Sequence, residues 1–96
     1  MRKYEIMFIV RPDLEEAEIK NIAESMKNTL SENGGSVVDF KEMGQRELAY
    51  EIKKYKKGYY FLITIEANDD KATNEFDRLA LISEDIIRHL IVRIDN

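Results

Sequence analysis

Along this chain the spacing of apolar residues switches between every second position and helical spacing in a fixed order, and that order restricts the fold more than anything else. Tyr4, Ile6, Phe8 and Val10 alternate with Lys3, Glu5, Met7 and Ile9, the pattern of a strand with one buried face. Ile19, Ile22, Ala23, Met26 and Leu30 then recur at helical spacing and define one apolar stripe. Asp13, followed three residues on by Glu16, predicts a capping box at the start of this helix. Asn33-Gly34-Gly35 supplies the left-handed residue that ends it. Ser36 to Ile52 reads as a long strand, with Gly44 as the expected bulge or bend. Lys53 to Gly58 reads as a hairpin-like turn, and Tyr59 to Glu66 as a third strand rich in aromatic and β-branched residues. A second helix is expected to start near Asn68-Asp69-Asp70, whose acids suit its dipole, and to bury Ala72, Phe76, Leu79 and Ala80. Ile86 to Ile94 is the last strand.

The order β-α-β-β-α-β, with right-handed crossovers, predicts an α+β, ferredoxin-like fold. Its antiparallel sheet has four strands with the first and third central, and both helices cover one face. At 96 residues the chain is expected to form a single domain spanning 1–96.

Composition removes whole classes of chemistry. With no cysteine and His89 as the one histidine, no disulfide, thiolate nucleophile or multi-histidine metal centre is available. No apolar run approaches the roughly 18 residues of a membrane span, and Met1-Arg2-Lys3 leads directly into a strand, so a cytoplasmic protein is expected. The net charge of −4 is unevenly placed: residues 13–33 carry −4 and 66–85 carry −5, whereas 1–12 carry +2 and 41–60 carry +3. The acidic stretches are the two helices, so any nucleic acid should approach the strand ends and the lysine turn.

Strand alternation sends Tyr59, Phe61, Ile63 and Ile65 toward the helices and leaves Tyr60, Leu62, Thr64 and Glu66 outside. In the last strand the same count sends Leu90, Val92 and Ile94 inward and His89, Ile91 and Arg93 outward. The open face is thus expected to carry Met7, Ile9, Tyr60, Leu62 and Ile91 at its centre, rimmed by Lys3, His89 and Arg93. Such a patch usually marks an interaction site; isolated exposed apolar residues or a homodimer face are the plainer readings.

Signatures of catalysis are weak. Acyl phosphate hydrolases of this topology need a glycine-rich anion cradle after the first strand, where this chain has Arg11-Pro12-Asp13-Leu14. His89 has no serine or aspartate at triad spacing, and the helix carboxylates read as solvated faces, so no enzyme, cofactor, metal or small-molecule substrate is expected. Lys57-Gly58-Tyr59-Tyr60-Phe61 partly matches the third-strand element of an RNA recognition motif, but alternation turns Tyr59 and Phe61 toward the helices. A single-stranded RNA binder of that type, or a ligand-sensing domain that dimerises through its sheet, are the alternative readings.

One segment is more specific: Gly44-Gln45-Arg46-Glu47-Leu48-Ala49-Tyr50-Glu51-Ile52-Lys53-Lys54. Together with Met1-Arg2-Lys3-Tyr4-Glu5, Gly58-Tyr59-Tyr60 and Ile87-Arg88-His89, it resembles the bacterial small-subunit ribosomal protein six family from end to end. Glu51 stands where family members often have proline, and Met43 where many have tryptophan or leucine. The resemblance implies a structural, ribosome-associated protein. It would bind small-subunit (16S) ribosomal RNA in the central domain as a heterodimer with ribosomal protein eighteen. It matches Arg2 and Tyr4, Lys53 and Lys54, and Arg88 and His89 to family positions. With Lys3, Lys56, Lys57 and Arg93 these are the candidate RNA-binding residues; Met7, Ile9, Tyr60, Leu62 and Ile91 are the candidate partner-protein-binding residues. The plainer reading of the arginines is surface charge paired with Glu5 or Asp95.

Overall fold

A computed structural model describes residues 1–94; Asp95 lies outside them. The elements run β1 (Arg2–Val10), α1 (Glu16–Glu32), β2 (Ser36–Ile52), β3 (Tyr55–Ala67), α2 (Lys71–Ile82) and β4 (Ile86–Arg93). The strands form one antiparallel sheet in the order β2-β3-β1-β4, so the first and third strands are central, as the ferredoxin-like reading requires.

Tyr4, Ile6, Phe8 and Val10 on β1 and Phe61, Ile63 and Ile65 on β3 face the helices. They meet Ile19, Ala23, Met26 and Leu30 from α1 and Ala72, Phe76 and Ala80 from α2. Phe8 anchors the assembly, stacked on Phe61 at 5.2 Å between ring centroids and edge-on to Phe76 at 5.6 Å. Full burial of such side chains contributes about 1.5–3 kcal/mol each as an upper figure.

Helix starts differ from expectation. Glu15, not Asp13, is the residue before α1, and no side chain caps that end. The Asp13 carboxylate instead accepts a hydrogen bond from Arg11 Nη1 (3.1 Å). Asp69 and Asp70 precede α2 rather than forming its first turn; Asp69 Oδ1 accepts from the backbone N–H of Lys71 at 3.0 Å. Gly34, at φ 93°, terminates α1 as anticipated, and the N–H of Gly35 reaches back to the Leu30 carbonyl.

β3 starts four residues before the expected Tyr59, because the chain reverses tightly at Lys53-Lys54 between the paired residues Ile52 and Tyr55. Both turn residues have positive φ, 49° and 73°, the type I′ geometry that follows strand twist. Gly44, at φ 82°, sits at a register shift in the β2–β3 ladder and is the expected bulge.

In β4 the face assignment is reversed. Val10 pairs with Ile86 but Ile9 pairs with Arg88, so Ile87 is an extra residue at a β-bulge. Beyond it, Phe8 pairs with His89, Ile6 with Ile91 and Tyr4 with Arg93, which puts these three on the helix side. Leu90 and Val92 are the outward residues, opposite Met7 and Glu5.

Candidate nucleic-acid and partner-protein interface

The open face carries a row of apolar side chains from its central strands and its β4 edge. Met7, Tyr60 and Leu62 are half-buried, and Leu90 and Val92 retain 50% and 43% of their exposure. Ile91, assigned to this patch from sequence, packs instead against the helix-side core. Ile9 faces the open side, yet is only 2% exposed. Gly58 is what allows this: a Cβ there would lie 2.3 Å from Ile9 Cγ2 and 3.5 Å from Ile87 Cδ1. Only a residue without a side chain lets the three pack together.

Part of that cover comes from β2. Between Glu47, opposite Lys57, and Ile52, opposite Tyr55, the strand carries more residues than β3 provides partners for. The surplus, Leu48 to Glu51, leaves the ladder. Leu48, Ala49, Tyr50 and Ile52 then form one wall of a groove of about 270 Å³, whose other wall is Met7, Ile9, Tyr60 and Arg88. Arg88 Nη1 donates a 2.6 Å hydrogen bond to the Tyr50 hydroxyl oxygen, joining β4 to β2 across the two central strands. A second hollow, about 470 Å³, lies along the arm between Glu47, Leu48, Tyr50, Glu51, Lys56 and Lys57.

The cationic candidates divide into two groups. Lys3 and Arg88 face the open side, and Lys53, Lys54, Lys56 and Lys57 crowd the exposed tip and flank of the hairpin. The others turn to the helix side. Arg2 Nη1 donates to Asp70 Oδ1 at 2.5 Å and the Tyr4 hydroxyl donates to the same oxygen at 2.8 Å. Those two hydrogen bonds, Tyr4's first, hold the Asp70 carboxyl below its ordinary pKa, and the nearby Arg93 charge adds to the effect. His89 Nε2 donates to Asp77 Oδ1 of α2 at 2.7 Å, and its ring lies 6.2 Å from that of Phe76. His89 and Arg93 therefore do not rim the open face.

Two other chemistries meet specific obstacles. Arg11, at the place of an acyl phosphatase anion cradle, is already engaged: its Nε donates to Asp85 at 2.8 Å and its Nη1 to Asp13. The Asp85 hydrogen bond is the main reason its pKa is raised. Tyr59 and Phe61 point toward the helices, so the stacking platform of an RNA recognition motif is not formed by them.

Sequence reading missed Tyr50 as a site residue. It lay inside the family-like motif, but only the surplus residues in β2 bring it to Arg88.

These elements make an open-faced ferredoxin-like domain, with acidic helices behind the sheet and a basic hairpin at one end. The sequence matches the model of the family described as Ribosomal protein S6 over residues 3–93, and the chain belongs to that family. Its structure is similar to the crystal structure of 30S ribosomal protein S6 from Thermotoga maritima, with a TM-score of 0.93 and 33% sequence identity, covering 97% of this chain and 87% of that one. It is thus a small-subunit ribosomal protein.

Proposed function

We propose that this chain is a non-catalytic, cytoplasmic component of the small ribosomal subunit that binds 16S ribosomal RNA in the central domain together with ribosomal protein eighteen. The observation that carries the proposal is the separation of surfaces. The half-exposed row of Met7, Tyr60, Leu62, Leu90 and Val92 suits a protein partner. The cations of the hairpin suit phosphates, while the acidic outer surfaces of α1 and α2 repel them.

In this scheme Lys53, Lys54, Lys56 and Lys57 neutralise RNA phosphates, and Lys3 and Arg88 act where the protein and RNA surfaces adjoin. Arg2, Tyr4 and His89 contribute at the helix-side margin, where their carboxylate partners fix their geometry, and Arg93 adds its charge near Asp70 on the same side. Partner and RNA binding reinforce each other because the heterodimer presents one larger, pre-assembled surface.

Binding titrations of a central-domain 16S fragment, with and without ribosomal protein eighteen, test the proposal. Tighter RNA binding with both proteins present is expected, together with co-sedimentation of the chain with small subunits at moderate salt. RNA affinity indifferent to the partner, in a chain that also fails to co-sediment, would overturn it.

A further inference from the structure

We infer that the surplus segment of β2, Leu48 to Glu51, is a strap whose closed position is set by the Tyr50–Arg88 hydrogen bond and completes the groove into which the partner protein docks. The inference rests on the docking reading above and adds a conformational requirement to it.

The strap is weakly held. Leu48 to Glu51 have no ladder partners on β3, and none of these four residues is buried. Tyr50 is 62% exposed, yet its hydroxyl oxygen accepts from Arg88 at 2.6 Å. That hydrogen bond joins the two edge strands of the sheet and spans both central ones. An element attached so lightly has a second, open position within easy reach.

Closure does not hide the docking surface. Met7, Tyr60 and Leu62 remain half-exposed with the strap down, and Leu90 and Val92 remain exposed. It adds a wall instead: Leu48, Ala49, Tyr50 and Ile52 face Met7, Ile9 and Tyr60 across the 270 Å³ groove. With the strap lifted, that concavity is lost and the same end of the sheet becomes flat. A partner side chain seated in the groove therefore selects the closed state, and the latch raises affinity by keeping that state populated beforehand.

A double-mutant cycle on partner affinity tests this, using ribosomal protein eighteen without RNA so that phosphate contacts do not enter. Tyr50→Phe removes one hydroxyl, and Arg88→Met removes the donor while keeping the stem. Each is expected to weaken binding about threefold to tenfold, the range for losing one partly solvated hydrogen bond. The double variant should be no weaker than the weaker single, because either change already frees the strap. Cleavage of the free chain after Glu51 by a glutamate-specific protease should accelerate in both singles while thermal stability stays the same.

Multiplicative losses in the double variant would mean that Tyr50 and Arg88 touch the partner independently, and would overturn the strap. So would unchanged affinity in Tyr50→Phe. If wild-type chain binds no partner at all, the docking reading fails rather than the latch, and cleavage after Glu51 still decides the latch: no acceleration in Tyr50→Phe removes it.

Discussion

The two faces of this sheet are built from the same strands and differ in what lies on them. Ile6, Phe8, Phe61, Ile63 and Ile65 are sealed under two helices, while Met7, Tyr60 and Leu62, their immediate neighbours in sequence, are only half-covered. Side-chain type does not separate the two sets; alternation does. An apolar residue on the helix side serves folding, and those on the open side, Ile9 apart, stay partly exposed.

The strongest test of that division compares neighbours. Ile63→Asp is expected to unfold the chain, because an unpaired carboxylate in the sealed core costs several kcal/mol, about half or more of a typical domain's stability. Leu62→Asp should leave a cooperative thermal transition and abolish partner docking. On β4 the same contrast should run between Ile91→Asp, strongly destabilising, and Leu90→Asp, tolerated. Thermal melts with partner titrations read both pairs, and a folded Ile63→Asp with an unfolded Leu62→Asp would reverse the faces.

Gly58→Ala probes a place where the open side is packed as tightly as the core. The added carbon meets a branched, buried Ile9 and must displace it, for a loss of about 1–3 kcal/mol in chemical denaturation. Replacing Lys53, Lys54, Lys56 and Lys57 together by alanine should leave the melting transition nearly unmoved. It should lower the slope of log affinity for RNA against log salt by roughly one unit for each phosphate no longer neutralised. An unchanged slope removes the hairpin from the RNA surface.

The smallest effect concerns Asp70. Its carboxyl titrates lower in the folded chain than in the unfolded one, so it contributes stability above the unfolded pKa of about 3.9, and that contribution fades as pH falls through the folded value. Asp70→Asn should lower stability slightly near neutrality and converge with wild type in acid, which flattens the acid limb of stability against pH. An acid limb identical to wild type would show that the Arg2–Tyr4–Asp70 cluster does not couple to folding.

Much of this was legible in the sequence. The alternating runs in β1 and β3, the helical stripe of α1 and the glycines that end it specified the element order and the faces of both central strands. The family motif from Gly44 to Lys54 pointed to the ribosome. What stayed hidden were insertions of residues into ladders. The extra residue at Ile87 carries no glycine or proline to announce it, and one such step exchanges every face after it, which is why Ile91 and Leu90 traded places. Leu48 to Glu51 read as plain strand for the same reason: a surplus shows only against the partner strand's count. Asp13 resembled a helix cap in isolation, but Arg11 took its carboxylate, a competition that spacing alone does not reveal.

The turn at Lys53-Lys54 has a further consequence. Left-handed backbone favours asparagine followed by glycine at these two positions, and lysine tolerates it less well. A protein engineer asked only for thermal robustness would replace this pair first, and the same exchange would delete two of the four charges clustered at the end of the hairpin. Durability and charge thus make opposite demands on one dipeptide, and a thermostabilised Lys53→Asn/Lys54→Gly chain is the form in which to measure how far they diverge.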